Sequence, residues 1–366
     1  MTEKTWNERV EYAGTRSILE VAADLNMELF RQGKNYRWKE HDSLVITPSN
    51  NLWKWFSKEG EGSGGDVIEL VKMMKEVDFN QAVAYLNTGD FKQVIAQTQV
   101  SQENFHYYLA PYEQPFDEAR QYLKEERGLS DDTIDFFYHK GVLAQANAKV
   151  GDDIEPVLVF KNLDENGQVV GASLQGLVAN PDKYFGRGYL KQIMKNSQPY
   201  NGMHVDIGTP NRLVFAESSI DLMSYYELHK DSLSDVRLVS LEGLKTGTMG
   251  RHLVQLEAEM KDRTVPSSWD DEKLSQGLDE ALQRGYFKDR QHEAILTLAV
   301  DNDPKGKQLI QGLKDKGVPV IDATPPKRED QSKMDWNGYL KQEKEKAMTN
   351  IERTKKLQNL FWSKKK

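Results

Sequence analysis

The sequence predicts a multi-domain α/β protein whose C-terminal half is built on a parallel sheet flanked by helices. Between Arg212 and Ala323, near-continuously apolar runs (RLVFAE, VRLVSLEG, AILTLAVD, VPVIDA) alternate with helical stretches (SIDLMSYYELHK, the region of Gly250 to Met260, PKGKQLIQGLKDKG). Strands apolar on both faces and separated by helices belong to a sheet covered on both sides. The first ~90 residues carry short helix and strand patterns of their own, and 366 residues is a length for two or three domains.

The elements follow in order. SILEVAADLNMEL has helical apolar spacing, and SLVITPSNNLWKWFS reads as two short strands around a Pro-Ser-Asn-Asn turn. GEGSGGDVIELVKMM is a glycine loop opening a helix, with Asp66 placed to favour the helix dipole; DFNQAVAYLN is a further short helix. A polar, Gln-rich linker follows. From Asp117 two short helices break at Gly128, with Ser130 as N-cap of the second. PVLVFKNLDENGQVVGASLQGL reads as a hairpin turning at Asn166-Gly167. Residues 262–293 are charged and read as an insertion before the third apolar strand. The expected division is therefore residues 1–90, a linker at 91–112, a subdomain at 113–207, the parallel-sheet domain at 208–340 and a basic tail at 341–366.

Composition narrows the function. A net charge of −8 excludes a globally basic nucleic-acid binder, so any such contact has to come from local patches. The absence of cysteine excludes disulfides, thiolate zinc sites and cysteine nucleophiles, and suits the cytoplasm. The charged N-terminus is no signal peptide, and no run approaches the roughly 18 apolar residues of a membrane helix.

The chemistry is read from the strand ends, where ligands of open α/β sheets sit. The first apolar strand ends at Glu217, the second at Glu242 and Gly243, the third at Asp301 with Asp303 two residues on. Residues i and i+2 of extended chain point the same way. Three converging carboxylates resist joint ionisation unless a hard cation joins them, and oxygen-only ligands suit Mg²⁺ or Mn²⁺. The bland alternative is a polar strand end and a helix cap. Pro304 fits the first helical turn, and Gly306 permits a close backbone approach to a ligand.

LVFAESSIDLMSYYEL followed by LTLAVDNDPKGKQL resembles the Toprim domain of bacterial primases, topoisomerases and some nucleases, and KMDWNGYL (Lys333 to Leu340) resembles its closing segment. The resemblance implies that Glu217, Asp301 and Asp303 are the catalytic, Mg²⁺- or Mn²⁺-binding residues. Ser218 stands where the bacterial primase usually has glycine. YLKEERGLSDDTIDFFYHKGVL, the hairpin and DKYFGRGYL are similar to the subdomain that precedes Toprim in replicative primases. The N-terminal module resembles the primase zinc-binding domain with its ligands removed. Of the ligand types only His41 remains nearby, so no zinc is expected. Trp38, Trp53, Trp55 and Phe56 are then the expected substitute core, or else a stacking surface for single-stranded nucleic acid. Gly60, Gly62 and Gly65 match a dinucleotide fingerprint without its strand context.

Lys183, Arg187, Lys191, Lys195 and Lys245 are the candidate phosphate or nucleic-acid contacts. Taken together the resemblance implies a primase-like nucleotidyltransferase acting on single-stranded DNA and nucleoside triphosphates, of the kind carried by Gram-positive conjugative plasmids and mobile elements, with replication or conjugation proteins as partners. A Toprim-type nuclease and an inactive DNA-binding accessory protein are the alternatives.

Overall fold

The computed structural model describes residues 5–32, 35–58, 62–88, 105–184 and 188–363, with side chains described as far as residue 350 in the last helix. It divides into two compact units, residues 1–103 and 104–366.

The first unit opens with α1 (Trp6–Gly14), whose Thr5 and Glu8 form a reciprocal cap, and α2 (Ile18–Asp24). A five-stranded antiparallel sheet follows in sequential order: β1 (Leu29–Gln32), β2 (Asn35–Trp38), β3 (Leu44–Thr47), β4 (Leu52–Trp55) and β5 (Gly64–Gly65). The helix expected to run on through Asn26 stops at Asp24, because Asn26 takes the left-handed conformation and β1 begins three residues later. Asp66 caps α3 (Val67–Lys75) by accepting from the Ile68 and Glu69 amides, and α4 (Phe79–Thr88) closes the unit. Trp38 and Trp53 are buried in a core with Leu44, Ile46, Leu70 and Leu86, and His41 lies between the Trp38 and Trp55 rings at 4.7 and 5.1 Å. Phe56 does not join that core: it is 68% exposed. Gly60 and most of the expected linker lie outside the described residues.

The second unit holds two sheets. One is antiparallel, ordered β10-β9-β8-β7-β6, from β6 (Glu113–Gln114), β7 (Leu143–Val150), β8 (Asp153–Leu163), β9 (Val169–Gly176) and β10 (Lys191–Ile193). Before β7 come α5 (Asp117–Glu125) and α6 (Asp131–His139), the latter capped by Ser130. The basic stretch around Lys191 forms the edge strand β10.

The other sheet has β11 (His204–Ile207), β12 (Arg212–Ala216), β13 (Val236–Ser240), β14 (Leu296–Ala299) and β15 (Ile321–Asp322) in the order β11-β13-β12-β14-β15. β12 runs parallel to β13 and β14, and β14 to β15; β11 is antiparallel to β13. Residues 204–207, short of the expected boundary at 208, thus belong to this sheet.

The crossover helices are α7 (Ser219–His229), α8 (Thr246–Met260) and α11 (Pro304–Asp315); α9 (Asp271–Ser275) and α10 (Gly277–Gln283) form the charged insertion, and α12 (Trp336–Ser363) is the last described element. Strand alternation divides the core. Val214 and Ala216 face α7 and α12 in a cluster that also takes in Phe137 and Leu158 of the neighbouring elements. Leu213 and Phe215 face α8 and α11, through Met249, Leu253, Ile310 and Leu313. Both faces are apolar because both are covered. The residues of the expected basic tail continue α12 as far as Ser363.

Candidate active site

β13, β12 and β14 lie side by side, so their C-terminal ends bring Glu242, Glu217 and Asp301 to one rim of the sheet. The backbone fastens this rim. The Leu241 amide donates to the Ala216 carbonyl at 2.8 Å, and the Gly243 amide to the Glu217 carbonyl at 2.9 Å. Glu242 holds a left-handed conformation (φ 50°), unusual for a side chain of this type, and accepts from Asn162 of β8. Ser218 is extended (φ −131°) and caps α7: its hydroxyl accepts from the Asp221 amide and donates to the Asp221 carboxylate at 2.6 Å. No glycine is needed at that backbone angle, so serine fills the position without strain and supplies a cap.

Beyond β14 the two aspartates part company. Asp303 caps α11, accepting from the Gly306 amide at 2.8 Å. Asp301 is 3% exposed; its Oδ2 accepts from the Lys333 ammonium at 2.6 Å, while its Oδ1 is buried without a hydrogen-bond partner. The closing segment is laid against this turn: the Asn302 amide donates to the Met334 carbonyl (2.8 Å) and the Met334 amide to the Asn302 carbonyl (3.4 Å). Gly306 permits a close approach, but to the chain itself: a Cβ there would overlap the carbonyl oxygen of Asp301.

The charges at the rim feel one another. Burial, then the Asp301 carboxylate, push Glu217 up to about 7 against the pull of Lys333, with Asp221 and Asp303 adding to the rise. Burial, then Asp335 and Asp301, push the buried Asp221 up to about 6. Asp301 is also raised, by burial, although Lys333 opposes the shift. Burial works against the Lys333 charge, but its hydrogen bond to Asp301 and the fields of Glu217 and Asp335 hold it above the ordinary lysine value. Among the described residues no three His, Asp or Glu side chains are gathered closely enough to form a ready-made metal cage.

Glu217, Asp301 and Asp303 therefore share one electrostatic neighbourhood, with Lys333 hydrogen-bonded inside it. Lys245, ahead of α8, stands 4.0 Å from Glu242. Lys183 is engaged elsewhere, bridging Asp153 (2.8 Å) and Glu155 (2.6 Å). Lys191 and Lys195 are exposed on and just after β10, and Arg187 lies outside the described residues. Reading the sequence misses Asp221, Lys333 and Asp335 as members of this neighbourhood. The Ser218-x-x-Asp221 spacing, a capping pattern, signals the first; the other two lie more than 30 residues beyond Asp301, in the KMDWNGYL segment whose resemblance to a domain-closing segment gives neither residue a role.

No family model matches the sequence. The uncharacterized protein pXO2-78 of Bacillus anthracis is 31% identical over 346 residues, covering 91% of this chain and 89% of that protein. The chain belongs to its family. Among solved structures, the chain is similar to the primase fragment of the bacteriophage T7 primase-helicase protein (16% identity, TM-score 0.34, 62% of this chain and 72% of that one). It is also similar to the T7 primase domains in a lagging-strand polymerase complex bound to an RNA/DNA hybrid and dTTP (15%, 0.31, 57% and 80%). A third is the DnaG catalytic core (16%, 0.27, 63% and 90%). These scores, all below 0.5, bring no activity to this chain.

Proposed function

We propose that this family member is a metal-dependent, primase-like nucleotidyltransferase that makes short primers on single-stranded DNA, serving plasmid or mobile-element replication or transfer. The observation that carries the reading is the buried Asp301 carboxylate, one oxygen on an ammonium and the other without a partner, at a strand end beside a Glu217 whose proton affinity is raised. Keeping such acids together costs stability, which a purely structural turn has no reason to spend. The donor set, all carboxylate oxygen, fits Mg²⁺ or Mn²⁺. Glu217 and Asp301 would hold the ion, with Asp303 beside them. Such an ion supplies charge neutralisation for a triphosphate and its pyrophosphate leaving group. The chain's own part is placement: the paired backbones of Asn302 and Met334 fix the acidic turn, Ser218 and Asp221 fix the start of α7, and Lys245 offers a cation at the next strand end.

The test is primer synthesis from nucleoside triphosphates on single-stranded DNA with Mg²⁺ or Mn²⁺, abolished by Asp301→Ala. Absence of oligonucleotide products over a range of templates and metals would refute it, and cleavage of labelled DNA with Mn²⁺ would point instead to a nuclease. The lack of a ready-made cage favours a second reading, a DNA-binding accessory protein without catalysis. Tight single-stranded DNA binding with no Mn²⁺ uptake would support that reading.

A further inference from the structure

We propose that Lys333 is a built-in counter-ion of the acidic rim: its ammonium holds Asp301 until a divalent cation arrives, then swings away to take a phosphate of the substrate. The inference rests on the metal reading above and goes beyond it by giving a role to a residue outside the carboxylate set.

Position comes first. The paired backbones of Asn302 and Met334 set Lys333 beside the turn that carries Asp301 and Asp303. From there its Nζ reaches Asp301 Oδ2 at 2.6 Å. This ion pair is not required to close the segment. The backbone pair, the Asn302 side chain on the Pro325 carbonyl (2.9 Å) and the Asn337 side chain on Ser224 and Arg127 already hold it.

Imbalance comes second. A single positive charge faces Asp301 and also the fields of Glu217 and Asp335. It satisfies one oxygen of a carboxylate that is 3% exposed and leaves the other, Oδ1, without a donor. A lysine ammonium has three N–H groups but one position; a divalent ion brings twice the charge and accepts several oxygens at once.

Mobility comes third. The acids are anchored by strand ends and helix caps, whereas the Lys333 side chain is 51% exposed on a flexible four-carbon stem. When a cation enters, the lysine is the group free to leave. It then stands, charged, at the edge of a site that binds phosphates.

Direct Mn²⁺ binding to the full chain, read as loss of the free-ion electron paramagnetic resonance signal, tests the first half. Removing the competing charge in Lys333→Met is expected to tighten Mn²⁺ binding by about tenfold or more, while Lys333→Arg stays near the wild type. Lys333→Gln provides a second neutral variant, and thermal melts establish that each is folded. Binding of ATP at saturating Mn²⁺, followed by displacement of a fluorescent analogue, tests the second half: about tenfold weaker in Lys333→Met, largely retained in Lys333→Arg. If the wild type binds Mn²⁺ and both neutral variants bind it no tighter, Lys333 is an ordinary ion pair and the proposal falls while the metal reading survives. If neither wild type nor variants bind Mn²⁺, both fall. Tighter Mn²⁺ with unchanged ATP binding overturns the phosphate-binding half. Tighter Mn²⁺ in a chain that makes no primers supports the counter-ion and removes the primase.

Discussion

Gly306→Ala and Gly312→Ala make the same chemical change in one helix, α11, and are expected to have opposite effects. In an open helix, alanine for glycine stabilises by about 0.5–1 kcal/mol. At Gly312, which is exposed with no atom within 4 Å of a new Cβ, that gain is expected in full. At Gly306 the new carbon would overlap the Asp301 carbonyl oxygen and stand 3.3 Å from a Val300 methyl. The first obstacle is backbone, so no rotamer change relieves it. Overpacking of this kind costs about 1–3 kcal/mol. Moving the helix start also strains the 2.8 Å cap from the Gly306 amide to Asp303, at most about 1 kcal/mol more. Less the propensity gain, Gly306→Ala is expected to lose about 1–3 kcal/mol and to lower the melting temperature by roughly 3–10 °C. Gly312→Ala is expected to raise it by about 1–4 °C. Calorimetric melts of the two variants check this directly. Because the obstructed carbonyl belongs to Asp301, Gly306→Ala is also expected to weaken Mn²⁺ uptake while Gly312→Ala leaves it unchanged. Equal shifts of the same sign at the two positions would refute the close-approach argument.

Two further outcomes follow from buried polar groups. Asn337 donates from its side chain to the Arg127 carbonyl (2.7 Å) and the Ser224 hydroxyl (3.0 Å), so Asn337→Ala is expected to cost about 2–4 kcal/mol in urea denaturation, with an unchanged m-value. The rings of His204 and His252 meet edge to face at 4.8 Å; burial, then the charge of Arg237, lowers His204 to about 4, and burial, then His204, lowers His252 well below the ordinary value. The folded chain keeps both neutral while the unfolded chain takes up protons near 6.5, so this contribution to stability is complete above about pH 6.5 and lost as pH falls below it. Denaturation at pH 7.5 and pH 5 checks the sign, with a shallower fall expected in the His204→Gln, His252→Gln double variant.

What could be read from the sequence was whatever left a local signature. The strands at Arg212–Ala216, Val236–Ser240 and Leu296–Ala299 are apolar on both faces and bounded by helices, so their ends, and with them Glu217 and Asp301, were found from pattern alone. The caps at Asp66 and Ser130 were equally plain. The strands that escaped are those whose pattern is weak. Leu29–Gln32 and Asn35–Trp38 are short and largely polar, Leu143–Val150 is rich in alanine, and His204–Ile207 spans four residues. Their identity comes from the neighbours they pair with. Lys333 and Asp335 escaped for a different reason. Contacts of the folded chain bring them to the rim, the pairing of Asn302 with Met334 and the Asn337 side chain on Ser224 and Arg127, and no spacing in the sequence encodes those contacts. The cap made by Asp303 shows the converse: a residue singled out as a ligand also serves the bland role weighed against it.

The rim is assembled from stretches of chain running from Glu217 to Asp335, joined by parallel crossovers with the charged insertion between them. Such long-range pairings close late, after their loop entropy has been offset by burial of the sheet's two faces. The acids and their lysine are neighbours across the folded sheet rim and not along the chain. A chain ending short of Lys333 would carry the carboxylates without the ammonium that faces Asp301.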